Sequence, residues 1–169
     1  MTDTQASDAR TWELLGRGGS AANSQLAALP AKYSGLVDPR GAEELGRELA
    51  GRIRPLGPTA IVIWEDPEDV VLGHIVGREL GLPVVRAFDA DGLVGHSAGL
   101  QGATGLVLVT DAVRDGRVVR AAQALAEQQG GALIGTAVLI ETAALREAKA
   151  TAGVLVSLVR ADDQSGEVA

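Results

Sequence analysis

The hydrophobic residues of this chain fall into short continuous runs, and between the runs they recur every three or four positions. A continuous aliphatic run is typical of a strand buried on both faces, and the wider spacing is typical of a helix with one apolar face. Strands that alternate with helices predict an α/β fold with a central, mostly parallel sheet flanked by helices. The runs predict five strands, at 60–64, 83–88, 105–109, 132–140 and 153–159.

Helix starts and ends are marked by local signals. Asp followed by Pro, at 38–39 and again at 66–67, combines an N-cap carboxylate with proline at the first helical position. The first helix is expected to end before the Gly-Pro pair at 57–58 and the second at Gly81. A third helix is predicted at 118–129. The other segments are interpreted as a short helix at 11–17, a loop with one helical turn at 18–32 and a glycine-rich loop at 89–104.

Composition narrows the class of protein. The 169 residues are 46% hydrophobic and only 2% aromatic, so we expect an aliphatic core in a single domain over 11–160, with flexible termini at 1–10 and 161–169. The absence of cysteine excludes disulfides and thiolate chemistry, and no spacing of His with acids suggests zinc. A net charge of −7 argues against a nucleic-acid partner. Without a long apolar run or a basic leader, we expect a cytoplasmic protein with no membrane partner.

Polar side chains follow three of the predicted strands at their carboxyl ends, where open parallel sheets bind ligands. These are the acidic turn at 64–69, Arg86 with the glycine-rich segment after it, and the segment 110–117. The third segment leads directly into a helix. Free N–H groups and the helix dipole at such a strand–loop–helix junction favour a phosphate.

Residues 107–119 read Val-Leu-Val-Thr-Asp-Ala-Val-Arg-Asp-Gly-Arg-Val-Val. This segment resembles the signature of the type I phosphoribosyltransferases, nearest to the orotate phosphoribosyltransferase branch: an apolar strand, two acids, two variable residues and a Thr/Gly-rich loop that opens a helix. Segments 32–40, 80–86 and 130–140 are similar to other parts of the family, so the resemblance covers about 25–160. It implies a Rossmann-like fold, a homodimer, and phosphoribosyl pyrophosphate with magnesium in active members.

The matching loop departs from the family pattern. The resemblance makes the candidate ribose- and phosphate-binding residues Thr110, Asp111, Arg114, Asp115, Gly116, Arg117 and Val118. Thr110 replaces the first acid of the pair, while Asp111 matches the second. Asp115 adds negative charge beside a phosphate, Arg117 replaces a glycine and Val118 removes a hydroxyl. The two arginines could compensate as bidentate phosphate ligands. Alternatively, Asp115 is the N-cap of the following helix and the arginines are solvated.

The position of the family's pyrophosphate loop is strongly acidic here. It holds Glu65, Asp66, Glu68 and Asp69 without a glycine, and Arg86 matches a cation that meets the pyrophosphate in the family. Carboxylates repel a pyrophosphate unless metal ions intervene. The structural alternative is that Asp66 caps the helix while Glu68 and Asp69 complement its dipole. A magnesium site on Glu65 and Asp69 is a further possibility.

Two histidines complete the candidates. Gly95-His96 is similar to a Gly-His in the mobile loop of the orotate branch, although the lysine of that loop is missing, so His96 is either catalytic or a solvated loop residue. His74 is interpreted as structural. With Asp111 and His96 as the candidate catalytic residues, we expect a family member with degenerate motifs that binds a phosphorylated or nucleotide-like ligand, or a partner, with little or no transferase activity. The alternatives are an active transferase of altered specificity and a structural subunit without a ligand.

Overall fold

The structure is a computed structural model that describes residues 10–11, 14, 38–91, 93–97 and 100–160. Arg10, Thr11 and Leu14 are helical, and the buried Thr11 lies in this short segment. The expectations for the two termini, for most of the helix at 11–17 and for the loop at 18–32 lie outside the described residues.

A six-stranded sheet with strand order β3-β2-β1-β4-β5-β6 organises the chain, and every pairing is parallel except that of β2 with β3. The predicted fold class, a mostly parallel sheet flanked by helices, is confirmed. The elements are α1 (Pro39–Ile53), β1 (Ala60–Trp64), α2 (Pro67–Leu80), β2 (Val84–Ala90), β3 (Leu93–His96), β4 (Gly105–Ala112), α3 (Arg117–Gln128), β5 (Ala132–Glu141), α4 (Ala143–Glu147) and β6 (Val154–Arg160), with 3-10 turns at Arg54–Leu56 and Ala148–Ala150.

The two Asp-Pro helix starts are confirmed. The Asp38 carboxylate accepts hydrogen bonds from the N–H groups of Arg40 (3.3 Å) and Gly41 (3.0 Å) at the start of α1. Asp66 accepts from the N–H of Glu68 (3.3 Å) at the start of α2. These bonds satisfy N–H groups that the first helical turn leaves without a carbonyl partner.

The interpretation of 89–104 as a loop is wrong for its first half. Strand β2 continues to Ala90, and β3 returns antiparallel to it, with Phe88 opposite Gly95. Glycine at position 95 is needed for packing rather than for a loop, because a Cβ there would lie 2.5 Å from Cε2 of Phe88. Asp91, in the turn, has a φ of 54°.

Aliphatic side chains form two core clusters on the two faces of the sheet, as the composition predicts. Helices α1 and α2 cover one face, where Leu45 and Leu72 pack with Ile63, and α3 covers the other. Close approach of α2 to β1 requires Gly73, since a Cβ there would lie 2.2 Å from Cγ2 of Ile63. No helix in the described part of the chain has the length and apolar character to cross a membrane.

The strand order creates a crevice beside β1. From β1 the chain continues to β2 on one side and later to β4 on the other, so the connections leave the sheet in opposite directions. Parallel sheets bind ligands outside the carboxyl ends of the strands at such a point. The polar residues that end β1 and β4 therefore meet at one edge of the sheet.

Candidate functional site

A cavity of about 170 Å³ lies at this edge, between the carboxyl ends of β1 and β4 and the start of α3. We call it the strand-end cavity. It brings together residues from the acidic turn after β1 and from the loop after β4. Asp111, Arg86 and His96 do not line it, and Asp111 lies behind its partner Arg114, which does. Its lining consists of Trp64, Asp66, Asp69, Thr110, Ala112, Val113, Arg114, Asp115 and Val118.

Arg114 holds the one family acid that the sequence retains, Asp111. Nη1 of Arg114 donates to Oδ1 of Asp111 (2.9 Å) and Nη2 donates to Oδ2 (2.8 Å), a bidentate ion pair. The Asp111 side chain is only 10% exposed, whereas that of Arg114 is 35% exposed. The pKa of Arg114 is raised above its usual value, chiefly by the hydrogen bonds to Asp111. Neither of the two interpretations of Arg114 from the sequence, phosphate ligand or solvated cation, included this partner.

Asp69 is buried against β4, with 3% of its surface exposed. Its Oδ1 accepts a hydrogen bond from the N–H of Asp111 (2.9 Å), and the Thr110 hydroxyl also bonds to it. Burial raises the pKa of Asp69 to about 7, and the nearby Asp111 and Asp66 carboxylates add to the increase. Asp69 does belong to the first turn of α2, as expected, but its side chain joins that turn to the end of β4.

The loop before α3 is tied together by Asp115 and Arg117. Oδ1 of Asp115 accepts from the N–H of Arg117 (2.9 Å), and Nε of Arg117 donates to Oδ2 (2.5 Å). These bonds, the backbone one foremost, lower the pKa of Asp115. The expectation that Asp115 is the N-cap is wrong, because α3 begins at Arg117 with Gly116 as the N-cap. Asp115 lies one residue before the N-cap, and from there its carboxylate accepts the hydrogen bond from the N–H of Arg117. The side chain of Arg117 is 82% exposed, as expected for a solvated arginine, but its guanidinium also forms an ion pair with Asp115.

Arg86 and His96 lie on the β2–β3 hairpin. The Arg86 guanidinium pairs with Glu65 (3.4 Å), and both side chains are about half exposed. His96 is a half-buried strand residue, not a solvated loop residue, and its Nδ1 lies 2.8 Å from the carbonyl oxygen of Ser97. The other histidine, His74, is exposed on α2 and does not line the strand-end cavity.

The residues present do not fit a resident magnesium ion. No group of three His, Cys, Asp or Glu side chains in the described chain is arranged to hold a metal. In the hypothesised pair, Glu65 is exposed and bound to Arg86, whereas Asp69 is buried and accepts the N–H of Asp111. Both carboxylates therefore have other partners, and a hard cation requires several oxygen ligands.

One further buried acid lies outside the set of site residues predicted from the sequence. Glu141, at the end of β5, is 6% exposed and accepts a hydrogen bond from Oγ of Ser157 (3.2 Å), and Nε of Arg160 lies 3.3 Å from its Oε1. An acid at the end of an apolar run, the signal that identified Asp111, also marked Glu141. Its contacts join β5 to β6, which indicates a structural role.

Comparison with known proteins places the fold in a family. No family model matches the chain. An adenine phosphoribosyltransferase of Prochlorococcus marinus (strain MIT 9313) is 32% identical over 127 residues, which cover 65% of this chain and 74% of that protein. Among solved structures, Mycobacterium tuberculosis H37Rv orotate phosphoribosyltransferase in complex with 5-phospho-α-D-ribosyl 1-diphosphate has a TM-score of 0.65 at 14% identity, covering 92% of this chain and 89% of that one.

Trypanosoma brucei adenine phosphoribosyltransferase, solved with AMP, pyrophosphate and ribose 5-phosphate, has a TM-score of 0.61 at 18% identity, covering 75% of this chain and 68% of that one. These structures support the fold, and both orotate and adenine enzymes share it. The Prochlorococcus relative carries the family assignment through its sequence identity and coverage. On that evidence, the chain belongs to the type I phosphoribosyltransferase family.

Proposed function

We propose that this protein binds a phosphorylated, sugar-phosphate or nucleotide-like ligand in the strand-end cavity and has little or no transferase activity. Family membership supports the ligand class. The Mycobacterium tuberculosis structure contains phosphoribosyl pyrophosphate, and the Trypanosoma brucei structure contains AMP, pyrophosphate and ribose 5-phosphate. The strand-end cavity lies outside the carboxyl ends of β1 and β4, where open parallel sheets bind ligands.

The observation that carries the proposal is the bidentate pair between Arg114 and Asp111. In the family, the acid at this position meets the ribose hydroxyls. Here both of its carboxylate oxygens already accept charge-assisted hydrogen bonds, which are the strong ones. An enzyme that must bind ribose and release product in each cycle would have to break this pair each time. A substrate therefore competes with the protein's own arginine.

The charge of the cavity wall opposes a pyrophosphate as well. The carboxylates of Asp66 and Asp115 both line the cavity. Two like charges 4 Å apart repel by about 1 kcal/mol in water and by about 4 kcal/mol at an effective dielectric constant of 20. Arg86, the cation expected at the pyrophosphate, is paired with Glu65. A dianionic monophosphate has less charge to place near these acids than phosphoribosyl pyrophosphate has.

Two assays separate binding from catalysis. Pyrophosphate release from phosphoribosyl pyrophosphate, with Mg²⁺ and either adenine or orotate, measures transfer. Calorimetric titration with ribose 5-phosphate, AMP and phosphoribosyl pyrophosphate measures binding. We expect binding without appreciable release. Steady magnesium-dependent release with either base would support the competing function, an active transferase of altered specificity.

Matched variants locate the binding. Val118→Phe puts a larger side chain into the strand-end cavity and should abolish binding. Val71→Phe makes the same change at an exposed position of α2 that does not line the cavity, and should leave binding unchanged. Equal affinity in both variants would contradict the proposed location. The homodimer that the resemblance implies and the cytoplasmic location expected from the sequence stay predictions, and the mass in solution from light scattering tests the first.

A further inference from the structure

We propose that Arg114 exchanges partners when ligand binds: its guanidinium leaves Asp111 for the phosphate of a sugar phosphate, and the released carboxylate accepts hydrogen bonds from the sugar hydroxyls. The inference rests on the proposed ligand-binding function and specifies its chemistry. The site would take ligands that carry both a phosphate dianion and neighbouring hydroxyls, in preference to inorganic phosphate or a free sugar.

The two members of the pair differ in how firmly they are held. The Asp111 carboxylate also accepts a hydrogen bond from the N–H of Ala112 (2.5 Å), and the backbone N–H of Asp111 donates to Asp69 (2.9 Å). The acid therefore stays in place when it loses the guanidinium. Arg114 has a long side chain that is 35% exposed and that lines the strand-end cavity. Arg114 is the member that can move.

Two N–H groups at the start of α3 are already engaged within the loop. The N–H of Arg117 is bound to the Asp115 carboxylate (2.9 Å), and the N–H of Val118 points to the carbonyl of Asp115 (3.4 Å). Among the described residues that line the cavity, Arg114 is the only cation. An anion that enters this cavity therefore meets a single cation, the guanidinium that Asp111 already holds.

Selectivity follows from this exchange. A free sugar has no anion to draw Arg114 away, so the Asp111 carboxylate stays occupied. Inorganic phosphate can recruit the arginine but leaves the carboxylate, only 10% exposed, without donors to replace the two N–H groups that it loses. A sugar phosphate supplies a bidentate anionic partner for the guanidinium and hydroxyl donors for the carboxylate at once. Only the last ligand provides both an anionic partner for the guanidinium and hydrogen-bond donors for the carboxylate.

Calorimetric titration of inorganic phosphate and ribose 5-phosphate into the full chain tests the exchange. In Asp111→Asn the side-chain oxygen can still accept from the N–H of Ala112, but Arg114 is released. We expect the affinity for inorganic phosphate to rise about tenfold and the preference for ribose 5-phosphate over phosphate to disappear. The gain should require Arg114, so the double variant Asp111→Asn/Arg114→Gln should lose it.

The control is Asp66→Asn, which removes one negative charge from the same cavity while asparagine keeps the helix cap. A much smaller gain in phosphate affinity than for Asp111→Asn supports the exchange. Equal gains in the two variants would overturn it, because charge removal alone would then explain the effect, while ligand binding itself would stand. If neither ligand binds the unaltered protein, the proposed function and the exchange both fail.

A crystal structure with ribose 5-phosphate gives a readout that does not depend on variants. The exchange predicts the Arg114 guanidinium on the phosphate and the Asp111 carboxylate on the ribose hydroxyls. A complex in which the bidentate contact between Arg114 and Asp111 persists would refute it.

Discussion

Replacing Asp69 by Asn should make the protein's stability much less dependent on pH. The pKa of Asp69 is about 7 in the folded protein, against 3.8 for an exposed aspartate, because the carboxyl is buried. Between these two values the folded protein binds a proton that the unfolded chain has released. The free energy of unfolding therefore falls as the pH rises through this range, and the cost of the buried charge is fully present above the folded pKa.

The size of the effect follows from the shift. A change from 3.8 to about 7 corresponds to about 4 kcal/mol in total, of which about 3 kcal/mol develops between pH 5 and pH 8. Asparagine does not titrate, and its side-chain oxygen can still accept the hydrogen bond from the N–H of Asp111. The Asp69→Asn variant should therefore gain about 3 kcal/mol relative to the unaltered protein when the pH is raised from 5 to 8.

Urea denaturation of both proteins at the two pH values measures this difference, provided that the slope with denaturant is the same. Asp91→Asn serves as the control, since it removes an exposed carboxylate in the β2–β3 turn that is not among the groups that shift the pKa of Asp69. The fall in stability that belongs to Asp69 should persist in this variant. If the Asp69→Asn protein and the unaltered protein keep a constant difference in stability across this range, the carboxyl of Asp69 is not buried as described.

Two further predictions concern packing and capping, and both are measured by urea denaturation. Gly73→Ala should lose about 1–3 kcal/mol because the new Cβ would lie 2.2 Å from Cγ2 of Ile63, whereas Gly51→Ala, with nothing within 4 Å of its Cβ, should gain up to about 1 kcal/mol. Equal effects would contradict the close packing of α2 on β1. Thr142→Ala should lower the free energy of unfolding by about 1 kcal/mol, because it removes the hydroxyl that accepts from the N–H of Leu145 and caps α4. An unchanged free energy of unfolding would mean that α4 does not depend on this cap.

Much of the fold could be predicted from local signals. The Asp-Pro caps mark α1 and α2 because a carboxylate satisfies free N–H groups and proline fits the first turn. The first part of the buried β4 shows as an apolar run over 105–109, and the strand then continues through the polar Thr110 and Asp111 to Ala112. Strand β3 was missed because its glycine suggested a loop, although Gly95 only makes room for the Phe88 ring. Helix α4 was not predicted either, because it is five residues long and depends on the Thr142 cap.

The location of the site could be predicted from the sequence, but the side-chain contacts within it could not. The resemblance identified the segment around Asp111, and the sheet order brings it beside the turn that follows β1. Which acid pairs with which arginine depends on side-chain reach in three dimensions. Arg114 turns back three residues to Asp111, and Asp69 crosses from another element to the same backbone. No spacing in the sequence distinguishes these partners from solvent or a ligand.

We propose that the strand-end cavity binds a phosphorylated ligand while the phosphoribosyl transfer reaction is largely lost. Pyrophosphate release from phosphoribosyl pyrophosphate, with Mg²⁺ and adenine or orotate, tests this in protein shown by calorimetry to bind ribose 5-phosphate. We expect binding that Val118→Phe abolishes and no release above the level without protein. Steady release that depends on the base and on Asp111 would contradict it.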